Sequence, residues 1–292
     1  MQFETRHFEM DDGVILVADV YGNPADRPIL FAHGGGQTRH SWGKTAQILA
    51  SKGWYAVAYD HRGHGDSGWS SDSIYRLQRF ARDQKAVAQQ LSQPPVVVGA
   101  SLGGLSAMLA QGESDEVIFS AVILVDITPK FSEAGAMNII GFMTERTDEG
   151  FATLEEAADI IASYTDRPRR DDLSGLAKNL RLRDDGRYYW HWDPNFLTVG
   201  RDELGSPGRL VAAAKKIRQP ILLVRGRMSD LVTEEIAQEF LQLVPHAAYV
   251  DVENARHMVA GDRNDIFTQA VLEFVESNDL ASSDLTAGVC TP

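Results

Sequence analysis

The chain is 292 residues long, 43% hydrophobic and 24% charged, with a formal net charge of −13. That length supports a large buried core in one or two domains. The acidic balance excludes a nucleic-acid partner, which asks for a basic face against phosphate, and works against an anionic membrane surface.

In chain order, the charged, alternating start MQFETRHFEMDDG has no apolar centre of a secretion signal. Its Asp-Asp-Gly turn leads into the alternating run 14–22, so the first two strands should form an antiparallel hairpin. Continuous apolar runs follow at 28–33, 54–60, 95–100, 121–126, 220–226 and 247–252, as expected of strands buried on both faces of a parallel sheet. Helical stretches at 42–52, 73–91, 102–111, 233–243 and 264–275 lie between them, giving an α/β fold with a mostly parallel sheet. The alternation breaks after Asp126, and residues 128–216 read as a helical insertion, or cap, between two strands of one core formed by 1–127 and 217–276. The polar tail 277–292 is expected to be disordered. It holds the single cysteine, Cys290, which can form neither an intrachain disulfide nor a thiolate metal cluster. No run reaches the ~18 apolar residues of a membrane span, so the expectation is a soluble protein of the cytoplasm.

Chemistry enters at VVVGASLGG, residues 96–104, which holds Gly99, Ser101 and Gly103 in a G-x-S-x-G pattern. This is the pattern of a nucleophile elbow: a serine on a tight strand-to-helix turn, with glycines where the two elements approach. A helix N-terminus behind the serine offers unpaired N–H groups to an oxyanion. One donor should be the N–H of Leu102, the residue after the serine. The other should come from the earlier loop FAHGGGQT, with Gly35 chosen and Gly36 as the neighbour that competes. Three histidines follow Ser101, and His257, in a loop between the last strand and the last helix, is the one placed to serve it; His191 lies in the insertion and His246 in a turn. For the acid, Asp230 in RGRMSDLV and Asp126 at the end of AVILVD compete, and Asp230 is favoured.

These segments together resemble the α/β-hydrolase superfamily with a helical cap. HGGG (33–36), DHRGHGDS (60–67), GASLGG (99–104), RGRMSDLV (225–232) and RHMVAGDRND (256–265) carry the likeness, which spans about residues 10–276. It looks closest to the epoxide-hydrolase-like, haloperoxidase-like and meta-cleavage-product hydrolase branch. The resemblance implies an eight-stranded sheet flanked by helices, a lid over the site and no cofactor. It also makes the Asp230 position the more frequent place for the acid. His61 and His64 then read as turn residues, not as zinc ligands, since no second cluster accompanies them. Epoxide hydrolases of this fold carry aspartate as nucleophile; Ser101 in its place points to acyl chemistry.

The expected function is a serine hydrolase cleaving an ester, thioester or lactone of a small, largely apolar substrate, without a metal. C–C hydrolysis of a vinylogous diketone, acyl transfer or perhydrolysis, and ligand binding without turnover are the alternatives on the same fold. His40, Trp42, Trp190, His191 and Trp192 are the candidate pocket residues. Nothing in the residues specifies an oligomeric state.

Overall fold

The structure, a computed structural model, describes residues 3–165, 168–169, 171–198, 207–278 and 280. Strands β1 (Glu4–Glu9) and β2 (Ile15–Tyr21) pair antiparallel, Glu9 facing Ile15, across a turn in which Gly13 supplies the positive φ. The apolar runs become β3 (Arg27–Ala32), β4 (Trp54–Tyr59), β5 (Val96–Ala100) and β6 (Ala121–Val125). A separate two-stranded hairpin, β7 (Leu180–Leu182) and β8 (Tyr188–Trp190), precedes β9 (Ile221–Gly226) and β10 (Ala247–Val252).

The main sheet has eight strands in the order β1-β2-β4-β3-β5-β6-β9-β10. β2 runs antiparallel to both its neighbours, and the other pairs are parallel. The central strands are covered on both faces, which is why they read as unbroken apolar runs rather than alternating ones.

The helices are α1 (Gly43–Ala50), α2 (Leu77–Gln89), α3 (Leu102–Gly112), α4 (Glu133–Thr144), α5 (Leu154–Thr165), α6 (Ser174–Ala177), α7 (Pro207–Lys216), α8 (Glu234–Leu243), α9 (Val259–Asp262) and α10 (Asn264–Ser277). One core joins Phe80 of α2, Leu105 and Met108 of α3 and Phe240 of α8 to Val97 and Leu124 of the sheet. The other joins Leu49 of α1 and Val271 and Phe274 of α10 to Phe31, Val98 and Val224. Each fully buried side chain of this kind contributes roughly 1.5–3 kcal/mol over its exposed state.

The expected insertion differs in two ways from the structure. It contains the β7–β8 hairpin as well as helices, and its last helix belongs to the sheet-flanking layer. α7 packs on α3 so closely that a Cβ at Gly112 would lie 2.3 Å from the Ala213 carbonyl oxygen. Ser277 closes α10, and the Leu280 carbonyl accepts from the Arg27 guanidinium. The rest of the tail expectation, Cys290 included, falls outside the described residues. Among the described residues no helix is long and apolar enough to cross a membrane.

Candidate active site

Ser101 sits between the end of β5 and the start of α3 with φ 46° and ψ −113°. A non-glycine residue rarely occupies this region, and the strain is held by the packing around it. A Cβ at Gly99 would lie 2.6 Å from the Gly103 backbone, and one at Gly103 would lie 2.3 Å from the Ala32 carbonyl oxygen. The two glycines of the pattern therefore exist because α3, β5 and the neighbouring β3 cross at backbone contact. The turn leaves Ser101 partly exposed, lining a cavity of about 740 Å³ with Gly35, Leu102 and His257.

The Gly34–Gly36 loop follows β3. The Gly34 carbonyl accepts from His33 Nδ1 (2.7 Å) and from the Gln37 N–H (3.1 Å). In a trans peptide the next N–H, that of Gly35, points the opposite way. The N–H groups of Gly34 and Gly36 are taken by Gln37 Oε1 and His64 Nε2, whereas among the described residues no hydrogen bond takes up the N–H of Gly35 or Leu102. Two unspent donors thus flank Ser101, the arrangement an oxyanion requires.

His257 lies in the loop after β10, and its Nδ1 is 2.8 Å from Asp126 Oδ2. With a carboxylate as partner, Nδ1 carries the proton and Nε2 is left to accept one. Asp126 is fully buried and directly follows β6, beside β5. It also accepts from the Gly226 N–H (3.0 Å) and the Ser229 hydroxyl (2.5 Å). The expectation that Asp230 receives the imidazole is therefore corrected. Gly226 and Ser229 of the RGRMSDLV segment hold the carboxylate of Asp126, and Asp230 lies on the cavity wall, exposed, bonded by Asn138 Nδ2 at 3.2 Å.

The remaining pocket candidates divide. Trp190 and Trp192 line the cavity, stacked at 4.7 Å between ring centroids. His40 and Trp42 do not. His40 faces Asp19 at 3.4 Å, and Trp42 is buried across the sheet between Phe31 and Phe267. His191 also turns from the cavity: its Nδ1 accepts from the Gly65 N–H (2.7 Å) and its Nε2 donates to the Gly36 carbonyl (3.3 Å). Apolar wall residues that the motifs did not signal come from the insertion, among them Ile139, Phe142, Met143 and Ile161.

His33, His61, His64 and His191 form one buried, neutral group. His33 Nε2 accepts from the His61 N–H, His61 Nε2 donates to the His33 carbonyl, and His64 Nδ1 donates to the Arg62 carbonyl, each at 3.0 Å. Burial lowers His33 to about 4 and His64 to about 3, and holds His61 and His191 well below the ordinary 6.5. Below pH 6.5 the unfolded chain therefore takes up protons that the fold refuses. Stability present above that pH is lost as pH falls toward 4, by about 3 kcal/mol for His33 alone. Urea midpoints should fall steeply from pH 7 to pH 4.5; a flat profile would mean that the rings are protonated in the fold. Among the described residues no group of three or more His, Cys, Asp and Glu is arranged to hold a metal ion.

Comparison with known proteins agrees with this architecture. An esterase of Mycobacterium tuberculosis is 30% identical over 262 residues, covering 87% of this chain and 83% of the esterase. A crystal structure of the M. tuberculosis esterase superposes with a TM-score of 0.74 at 26% identity, over 94% of this chain and 93% of that one. An alpha/beta hydrolase from Novosphingobium aromaticivorans shares the fold with a TM-score of 0.79 at 24% identity, over 94% and 98% of the two chains. The alpha/beta hydrolase family pattern matches residues 29–270. With the eight-stranded sheet and the strand-to-helix serine turn, that match makes this chain a member of the alpha/beta hydrolase family.

Proposed function

We propose that this hydrolase cleaves neutral carboxylic esters with an apolar acyl group, through an acyl-enzyme on Ser101. The observation that carries the reading is the His257 Nδ1–Asp126 Oδ2 bond of 2.8 Å, on a histidine that shares one cavity with an elbow serine. His257 Nε2 takes the Ser101 proton as Oγ attacks the ester carbonyl. Asp126 fixes the tautomer and steadies the imidazolium. The oxyanion is held by the N–H groups of Gly35 and Leu102, each worth about 10²–10³ in rate. His257 then protonates the leaving alcohol, and water repeats the sequence to release the acid. The esterase name of the 30%-identical relative supports the ester class.

The wall of Ile139, Phe142, Met143, Trp190 and Trp192 favours an extended or bulky acyl chain, since burying a methylene is worth about 0.8 kcal/mol. The volume of about 740 Å³ is within the range of sites that enclose a drug-sized ligand. Across p-nitrophenyl acetate, butyrate, hexanoate and octanoate, kcat/KM should rise by about 2- to 4-fold per methylene. A preference for acetate would remove the apolar-acyl assignment. Cleavage of a vinylogous diketone with no ester turnover would replace the ester reading by C–C hydrolysis.

A further inference from the structure

The insertion holds the loop that offers Gly35. Gly36 has φ 74°, and both sides of this residue are held by imidazole: its N–H donates to His64 Nε2 (3.1 Å) and its carbonyl accepts from His191 Nε2 (3.3 Å). His191 follows β8 of the insertion, is 1% exposed, and with Nδ1 takes the Gly65 N–H of the second core loop. Phe196, also from the insertion, packs edge-on against His64 at 4.6 Å and lies against Gly35, where a Cβ would be 3.1 Å from its ring. The Gly36–Gln37 peptide that His191 holds donates its own N–H to the Gly34 carbonyl (3.1 Å), and the Gly34–Gly35 peptide carries the Gly35 N–H, so the contact reaches that donor through one turn hydrogen bond about a glycine with no side chain to resist rotation.

We propose that His191, acting with His64, is a positioning residue for the oxyanion loop. The insertion is then more than a wall of the pocket: together with His33 on the Gly34 carbonyl, its seating fixes the turn that directs the Gly35 N–H. His191 touches neither Ser101 nor the cavity, so its effect is exerted through Gly36. The proposal rests on the acyl-enzyme reading above.

The test compares His191→Leu, His191→Gln and His191→Asn with wild type. The measurements are kcat and KM on p-nitrophenyl octanoate, and inhibition by an alkyl trifluoromethyl ketone, whose serine adduct carries an oxyanion. The glutamine amide reaches as far as Nε2 and restores the donor to Gly36. The asparagine amide reaches only to Nδ1 and serves Gly65. Leu and Asn variants should lose about 10²-fold in kcat and a similar factor in ketone affinity, with KM within about 3-fold of wild type. The glutamine variant should recover most of both. Equal activity of Gln and Asn variants, or a fall in kcat with ketone affinity intact, would overturn the positioning role. If the leucine variant does not fold, the Gln–Asn pair still decides. Wild type that turns over no ester and binds no ketone would overturn the acyl-enzyme reading itself, and is distinguished by needing no variant.

Discussion

Asp126→Asn should lower kcat on an ester by about 10⁴, while Asp230→Asn stays within about 3-fold of wild type. Asp126 Oδ2 faces two donors, His257 Nδ1–H and the Ser229 hydroxyl. Once Oδ2 becomes an NH₂ group, the Ser229 hydroxyl must turn its proton away and share an oxygen that already accepts from the Leu231 and Val232 N–H groups. The imidazole can accept only by moving its proton to Nε2, the atom that receives the Ser101 proton in the proposed mechanism. Folding is expected to survive, because the remaining oxygen still accepts from the Gly226 N–H. Asp126→Ala is the wrong probe: it strands the Gly226 and Ser229 donors in a fully buried site, at about 1–3 kcal/mol each. Asp230 has Asn138 as its partner and contributes negative charge to the cavity wall. Its amide variant should turn over neutral esters as before and accept a carboxylate-bearing ester better. Circular dichroism and kcat on one ester check both variants; an Asp230→Asn enzyme crippled beside an active Asp126→Asn would reverse the assignment.

Ser101→Ala should abolish turnover, with kcat down by about 10⁶, and leave the melting temperature nearly unchanged. The strained φ of 46° is borne by a residue that keeps its Cβ in the variant, so no new clash is created. The backbone bonds of residue 101, N–H to the Val125 carbonyl and carbonyl from the Leu105 N–H, do not depend on the hydroxyl. The side chain lines the cavity, so its loss strands no buried partner. Ester turnover retained by a folded alanine variant would remove Ser101 as nucleophile.

Much of this was legible in the residues because it is local. Parallel strands buried on both faces announce themselves as apolar runs, and the two crossing glycines at 99 and 103 mark a turn that only close backbone contact explains. The acid was not legible. Asp126 and Asp230 both follow strands at the same edge, and what separates them is a pair of long-range bonds from Gly226 and Ser229 that no spacing encodes. Trp42 and His40 follow the glycine loop directly, yet the 3-10 turn Arg39–Trp42 carries one to Asp19 and the other under the sheet. Strands β7 and β8 are three residues each, too short for a period to show. α7 is amphipathic like α5 of the insertion, and only its packing on α3 assigns it to the core.

The most direct measurement is the site and rate of labelling by a fluorophosphonate probe, mapped by peptide mass spectrometry in wild type, Asp230→Asn and Asp126→Asn. One modified residue, Ser101, is expected, labelled at similar rates in the first two proteins and slower by orders of magnitude in the third. A wild-type protein left unlabelled, labelled elsewhere, or labelled at Ser101 with no dependence on Asp126 would contradict it.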